Sequence, residues 1–253
     1  MISKLGRFSS VRRAYGHMVG KLAETGFDGR GHIALPANAE TVLGNVSADD
    51  CIDALRQDGI AAGLKLPGHV MAPILAYAEG CPFREREAGV PPRPVRLVSE
   101  SVRECPEIMA LIDDAVLTGV AARYLGYRPR RAEAYLEWLL AFPQGTEPDY
   151  APYRYHFDVP GLASVAVFFF LTDVCENTGA HCMLRRSHNK KPWRLLVAPG
   201  SATGDQAARH YDPALEFRVT GAAGSGFFED LYAFHKVLCP RTGNRLSLQI
   251  RYS

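Results

Sequence analysis

The sequence predicts a mainly β protein with helices in front of a β-barrel core. Short strand-sized segments recur in the second half of the chain, at 163–171, 180–186, 215–219, 226–235 and 244–251. Short strands at such intervals are typical of an all-β barrel or sandwich. Helical spacing of apolar residues is confined to the first half of the chain, between residues 47 and 126. We therefore expect one domain over residues 1–253, with helices and loops in 1–131 and the β core in 132–253.

The predicted helices lie in three stretches of the N-terminal flank. Ser47 is a candidate N-cap with acidic residues in the turn that follows, and this helix is expected to end near Gly59. A second helix is predicted near 70–79, and apolar residues return at helical spacing from 108 to about 126. We expect these helices to pack on the outer face of one sheet.

The β core is expected to begin near residue 132. Residues 133–142 could form a helix, but their aromatic content and the Pro-Gln-Gly that follows favour a strand. The run 163–171 is apolar throughout, which indicates a strand buried on both faces. Residues 189–213 are predicted to form a long insertion between strands, a lid or substrate loop.

Composition excludes several classes of protein. The chain is 47% hydrophobic and 22% charged, which is typical of a globular domain. The net charge of +2 and the scattered basic residues argue against nucleic-acid binding, and the strand-sized apolar runs argue against a membrane helix. Six cysteines without a Cys-x-x-Cys pair are typical of reduced thiols in a cytoplasmic protein. The basic N-terminus, 1–20, fits an exposed arm or an organelle transit segment.

The chemistry-bearing motif is His156-Phe157-Asp158, with His235 far downstream. Alternate residues of a strand share a face, so His156 and Asp158 are expected to point the same way, with Phe157 turned away. Two imidazoles and one carboxylate form the facial triad that binds non-haem Fe(II) with open positions. His-x-Asp alone is a weak signal, because such spacing also occurs by chance. Its apolar neighbours and the second histidine strengthen it.

A candidate anion site follows the second histidine. Arg245 lies ten residues after His235, and Ser247 and Gln249 follow it at alternate positions on a half-buried strand. Arginine binds a carboxylate through two parallel hydrogen bonds, and a hydroxyl can add a third. Arg241 and Arg251 are the alternative anion binders. We expect structural roles for His181 and His188.

These segments together resemble the phytanoyl-CoA dioxygenase family. The resemblance is carried by His156-Phe-Asp158, Asn177-Thr-Gly-Ala-His181, Leu184-Arg-Arg-Ser-His188, Phe234-His235 and Arg245-Leu-Ser247. It covers residues 132–253 most strongly and 46–130 more loosely. Arg185 and Arg186 stand where Pro-Gly is common in the family. The resemblance implies a double-stranded β-helix (jelly-roll, cupin-like) core.

The resemblance also implies an activity and its cofactors. His156, Asp158 and His235 would bind Fe(II), and Arg245 and Ser247 would bind 2-oxoglutarate, which is consumed with O2 to give succinate and CO2. Related halogenases lack the carboxylate ligand, so Asp158 favours hydroxylation of a small-molecule substrate or another oxidation.

The substrate and two rival functions remain open at this point. Arg154, on the expected face of His156 and Asp158, and Arg185 are candidate contacts for an acidic substrate. One rival is a cupin-type non-haem metal dioxygenase that does not use 2-oxoglutarate. The other is a non-catalytic barrel that binds a small ligand.

Overall fold

The computed structural model describes residues 10, 11, 14, 15, 18, 40–44, 46–81, 95–97, 102–158, 163–192, 195 and 207–253. The described parts contain two antiparallel sheets and several helices. Most of the predicted insertion at 189–213 and most of the basic N-terminus lie outside the described residues. Within the described residues, no helix has the length and apolar character needed to cross a membrane.

The larger sheet has six strands in the spatial order β1-β7-β4-β9-β3-β2, and the smaller has three in the order β6-β5-β8. All the paired strands are antiparallel. The strands are β1 (Ile60–Lys65), β2 (Val95–Leu97), β3 (Ala132–Leu139), β4 (Val165–Phe170), β5 (His181–Leu184), β6 (Glu216–Val219), β7 (Ser225–Asp230), β8 (His235–Val237) and β9 (Arg245–Tyr252).

The helices in the first half are α1 (Ala48–Asp58), α2 (Gly68–Gly80), α3 (Pro106–Ile112) and α4 (Ala115–Leu125). The predicted N-cap of α1 is confirmed, because the Ser47 side chain accepts a hydrogen bond from the Asp50 N–H at 3.2 Å. The helical spacing predicted from 108 to about 126 is confirmed. The structure divides it into two helices, because the Asp114 carboxylate accepts from the N–H groups of Val116 and Leu117 at 2.9 and 3.0 Å and starts a new helix.

The flank also contributes strands that the sequence analysis did not predict. β1 is hydrogen-bonded to β7 at one edge of the large sheet, and β2 is paired with β3 at the other. The segment 1–131 therefore contributes strands as well as helices, and its strands form both edges of the large sheet.

The strand predicted over 226–235 is wrong, because it is two strands in different sheets. β7 ends at Asp230, whose side chain accepts from the Tyr232 N–H and whose carbonyl accepts from the Ala233 N–H, both at 2.9 Å. These bonds close a turn that sends the chain from the large sheet into β8 of the small one. His235 therefore begins a strand instead of ending one.

The strand prediction for 133–142 is confirmed by β3. The expected strand through His156 and Asp158 is not formed: residues Ala151–Tyr153 make a 3-10 turn, and His156 forms a single isolated bridge.

The large sheet separates an apolar core from the interior that carries the candidate site. Leu246, Leu248 and Ile250 on β9 are buried in one cluster with Leu117 and Val120 of α4. The alternate residues of β9 lie on the other face of the sheet. On that face Phe227 packs in a second cluster with residues of the small sheet such as Met183 and Val219. The two sheets therefore face each other, as in a sandwich or barrel.

Gly226 marks a close approach between β7 and β4. A Cβ built there would lie 2.4 Å from Phe169 Cδ1 and 2.6 Å from the Phe168 carbonyl oxygen. We expect Gly226→Ala to lower the free energy of unfolding by about 1–3 kcal/mol, the usual cost of overpacking a core. Urea denaturation of wild type and of Gly226→Ala measures this difference in the free energy of unfolding.

The matched control is Gly80→Ala, at the exposed last residue of α2, where an added Cβ meets nothing within 4 Å. Equal stability of the Gly226→Ala and Gly80→Ala variants would show that β7 and β4 can separate without cost.

Candidate metal centre

The predicted triad residues come together in the structure. His156, Asp158 and His235 each offer one ligand atom, and these atoms all lie within 4.8 Å of one another. The main chains of His156 and His235 exchange two hydrogen bonds, at 2.9 and 2.8 Å. The imidazole centroids are 4.4 Å apart. His235 is buried, while His156 and Asp158 are half-buried, which leaves an approach to the site from the solvent side.

Backbone carbonyls orient both imidazoles. His156 Nδ1 lies 2.9 Å from the Arg154 carbonyl oxygen, and His235 Nδ1 lies 3.0 Å from the Ala233 carbonyl oxygen. A carbonyl can only accept, so each Nδ1 carries a proton, and in the neutral form of each ring Nε2 has the lone pair. A neutral imidazole with a free Nε2 is the form that binds a metal ion. The donor set therefore fits a divalent metal such as Fe(II).

The third candidate ligand, Asp158, is held from two sides. Its main-chain N–H donates to the Leu231 carbonyl at 2.9 Å. Its Oδ2 lies 3.4 Å from an Nη atom of Arg251, whose guanidinium also stacks 5.0 Å from the centroid of the Tyr135 ring. The guanidinium keeps one carboxylate oxygen of Asp158 occupied and leaves the other free.

A second layer of contacts fixes the segments that carry the ligands. Ser187 Oγ donates to the Leu184 carbonyl at 2.6 Å and accepts from the Phe234 N–H at 2.7 Å, next to His235. The Lys191 ammonium lies 4.8 and 4.9 Å from the ring centroids of Phe157 and Phe234. Phe157 and Phe234 are chain neighbours of the candidate ligands. Ser187 and Lys191 therefore help to hold the two segments that carry the triad.

Arg245 and Ser247 lie on the interior face of β9. Ser247 is buried, opposite Glu137 on β3 and Phe170 on β4. The Arg245 guanidinium donates to the Gly179 carbonyl and stacks 5.7 Å from the Phe170 ring centroid. Burial lowers the pKa of Arg245 to about 10, so it stays charged at neutral pH. Its Nε has no hydrogen-bond partner among the residues that the structure describes, which suits an anionic ligand.

Other arginines are already paired. Arg241, one alternative anion binder, donates to Glu147 at 2.9 Å and holds the pKa of that carboxyl at about 2. The other, Arg251, is engaged with Asp158. Arg154 is half exposed and paired with Asp149, and it enters the site through its carbonyl rather than its side chain. Arg185 donates to the Ala214 carbonyl at 3.1 Å. None of these contacts brings Arg154 or Arg185 side chains to the triad.

Glu229 is a member of this site that the sequence analysis missed. Its side chain is fully buried, with one oxygen 3.2 Å from His235 Nδ1 and the other 3.0 Å from His181 Nε2. Burial raises the pKa of Glu229 to about 7 and lowers those of His235 and His181 to about 4 and 3, so both imidazoles are neutral at neutral pH. The available signal was an acidic residue inside an otherwise apolar strand.

Solved structures share this fold. The non-heme alpha ketoglutarate dependent carbocyclase SnoK from nogalamycin biosynthesis has a TM-score of 0.59 and 17% identity, covering 84% of this chain and 86% of its own. EvdO2 from Micromonospora carbonacea var. aurantiaca complexed with 2-oxoglutarate gives 0.56 and 16%, covering 84% and 93%. EctD from S. alaskensis with bound Fe gives 0.56 and 14%, covering 85% and 81%.

No protein-family model matches the chain, and neither does any curated protein. At the identities of the solved structures, the likeness establishes the fold and not the reaction.

His156→Ala is expected to abolish binding of Fe(II), because an imidazole with a preset Nε2 is lost. The fold should persist, since His156 is half-buried and the main-chain bonds to His235 do not need its side chain. Anaerobic Fe(II) titration and the thermal midpoint of the apo-protein measure the two effects. The matched control, His69→Ala, alters an exposed histidine of α2. Wild-type affinity in His156→Ala would remove this residue from the metal site.

Proposed function

We propose that this chain is an Fe(II)- and 2-oxoglutarate-dependent oxygenase acting on a small molecule. The observation that carries the proposal is that one sandwich contains both a candidate metal site and a candidate carboxylate site. His156, Asp158 and His235 converge at one point, and half-buried Arg245 and buried Ser247 lie on the interior face of the large sheet. Metal ligands alone would support many metalloenzymes, whereas the paired arginine and hydroxyl favour a dicarboxylate co-substrate.

Each residue has a role in this proposal. His156, Asp158 and His235 would hold Fe(II), which with O2 and 2-oxoglutarate supplies the oxidising power for C–H cleavage. Arg245 would bind the distal carboxylate of 2-oxoglutarate through its guanidinium, and Ser247 would donate its hydroxyl proton to the same group. Arg251 would hold the Asp158 carboxylate in place through its ion pair. The apolar walls around Phe170 and Phe227 exclude water from the inner side of the site.

The finer features are part of the same proposal. We propose that the two sheets form a double-stranded β-helix and that the chain is a member of the phytanoyl-CoA dioxygenase family. Hydroxylation of an unactivated C–H bond, with release of succinate and CO2, is the proposed outcome. The solved structures of similar fold include a carbocyclase, so the fold alone does not decide which reaction the substrate undergoes. The described contacts of Arg154 and Arg185 lend no support to an acidic substrate.

The test of the function is an anaerobic titration of apo-protein with Fe(II) and then 2-oxoglutarate. We expect a visible charge-transfer band when the keto acid chelates the metal, and no band in His156→Ala. Iron binding without the band would indicate a metalloenzyme that does not use 2-oxoglutarate. Absence of iron binding would indicate a ligand-binding barrel.

Arg245→Ala is expected to weaken 2-oxoglutarate binding by about 10- to 100-fold, because hydrogen bonds to charged groups contribute about 1.5–3 kcal/mol. Fe(II) affinity should stay within a few-fold of wild type, since Arg245 is not a metal ligand. The midpoint of the charge-transfer band against 2-oxoglutarate concentration gives the affinity.

Arg241→Ala is the matched control, because that arginine is paired with Glu147. Its 2-oxoglutarate affinity should equal that of wild type. If Arg241→Ala loses affinity and Arg245→Ala does not, the co-substrate is bound by the other arginine.

A further inference from the structure

We propose that Glu229 is a positioning residue for the metal centre, whose buried carboxylate holds His235 from the side opposite the metal and adds negative charge to it. The inference rests on the proposed function, since it takes His235 as a ligand of Fe(II). In metal sites, a carboxylate at the second nitrogen of a ligand imidazole sets the ring orientation and makes the ring a stronger ligand.

The first support is the geometry around His235. Glu229 Oε1 lies 3.2 Å from His235 Nδ1, and the Ala233 carbonyl oxygen lies 3.0 Å from the same nitrogen. Both acceptors sit on one edge of the ring, so Nε2 on the other edge faces the triad. Glu229 is held in place because β7 is paired on both sides, with Ile60 and Ala166 opposite this residue.

The second support is His181, which lies beside the other carboxylate oxygen of Glu229. His181 Nε2 lies 3.0 Å from Glu229 Oε2, and its ring is stacked on that of His235, with centroids 5.5 Å apart and planes inclined by 22°. The rings of Phe168 and Phe227 confine His181 at 5.5 and 5.1 Å. The carboxylate therefore lies between two imidazoles, within 3.2 Å of a nitrogen of each, and only one of the two belongs to the triad.

The third support is the charge. The side chain of Glu229 is fully buried, and neither oxygen accepts a well-aligned hydrogen bond from the residues that the structure describes. An ionised carboxylate in such surroundings is unfavourable without a positive partner. A divalent cation bound on the far side of His235 would supply that partner. Removing the charge should therefore weaken metal binding without weakening the apo-protein, which separates this role from a purely structural one.

The experiment compares Glu229→Gln with wild type in two measurements. Anaerobic Fe(II) titration should give a dissociation constant about 10- to 100-fold higher, the usual effect of losing an outer-shell partner. The thermal midpoint of the apo-protein should stay equal or rise, because an uncharged amide of the same shape replaces a buried carboxylate. The matched control is Glu216→Gln on β6, which removes a carboxylate bonded to Tyr155 at 2.6 Å and should leave the metal affinity unchanged.

His181→Phe provides a second variant that keeps an aromatic ring between Phe168 and Phe227 and removes only the contact to Glu229. It should weaken Fe(II) binding in the same direction and by a smaller factor. If Glu229→Gln does not fold, the Fe(II) affinity of His181→Phe becomes the deciding measurement. A wild-type affinity in His181→Phe would then overturn the inference.

Two further outcomes of the comparison contradict the inference. Wild-type affinity in Glu229→Gln overturns it while leaving the proposed function intact. Loss of apo stability together with affinity shows a structural role and overturns it as well. A wild-type protein that binds no Fe(II) refutes the proposed function itself, and the inference falls with it.

Discussion

The pair of main-chain hydrogen bonds between His156 and His235 is the contact on which the candidate site depends. It joins two residues that are far apart in the chain, at N···O distances of 2.9 and 2.8 Å. Because the backbone carries this contact, the ligand side chains are free to turn toward the metal. Two neighbouring hydrogen bonds help to keep these segments aligned. The Asp158 N–H donates to the Leu231 carbonyl, and the Phe234 N–H donates to Ser187 Oγ. Displacing either segment by one residue would turn its ligand to the opposite face.

The large sheet keeps stability and chemistry on separate faces. On β9 the residues Leu246, Leu248 and Ile250 pack with the helices, and Arg245 and Ser247 occupy the other face with the polar interior. Such a strand tolerates charge inside the protein because the apolar face anchors the backbone while the polar face is preorganised. Buried Glu229 and half-buried Arg245 therefore lie on the polar face of a sheet whose opposite face packs in the apolar core.

Local patterns predicted the parts of the fold that local forces decide. The cap at Ser47, the helix that follows it and the strand over β3 follow from capping, spacing and side-chain shape. Local patterns did not record where a side chain redirects the chain. Asp230 closes a turn inside an apolar run, and Asp114 starts a second helix inside a confirmed helical stretch. β1 and β2 were missed because a short edge strand is specified by its partner more than by its own sequence.

By itself the sequence determined the kinds of ligand, two imidazoles, a carboxylate, an arginine and a hydroxyl, together with the alternation that puts Arg245 and Ser247 on one face. Only the tertiary structure decided which of them meet. It brought His156 and Asp158 to His235, and it paired Arg241 with Glu147 and Arg251 with Asp158, which leaves Arg245 as the candidate for the co-substrate. The position of Glu229 between His181 and His235 also emerged only there. Contacts between distant strands depend on the register of both sheets, and no local spacing records that register.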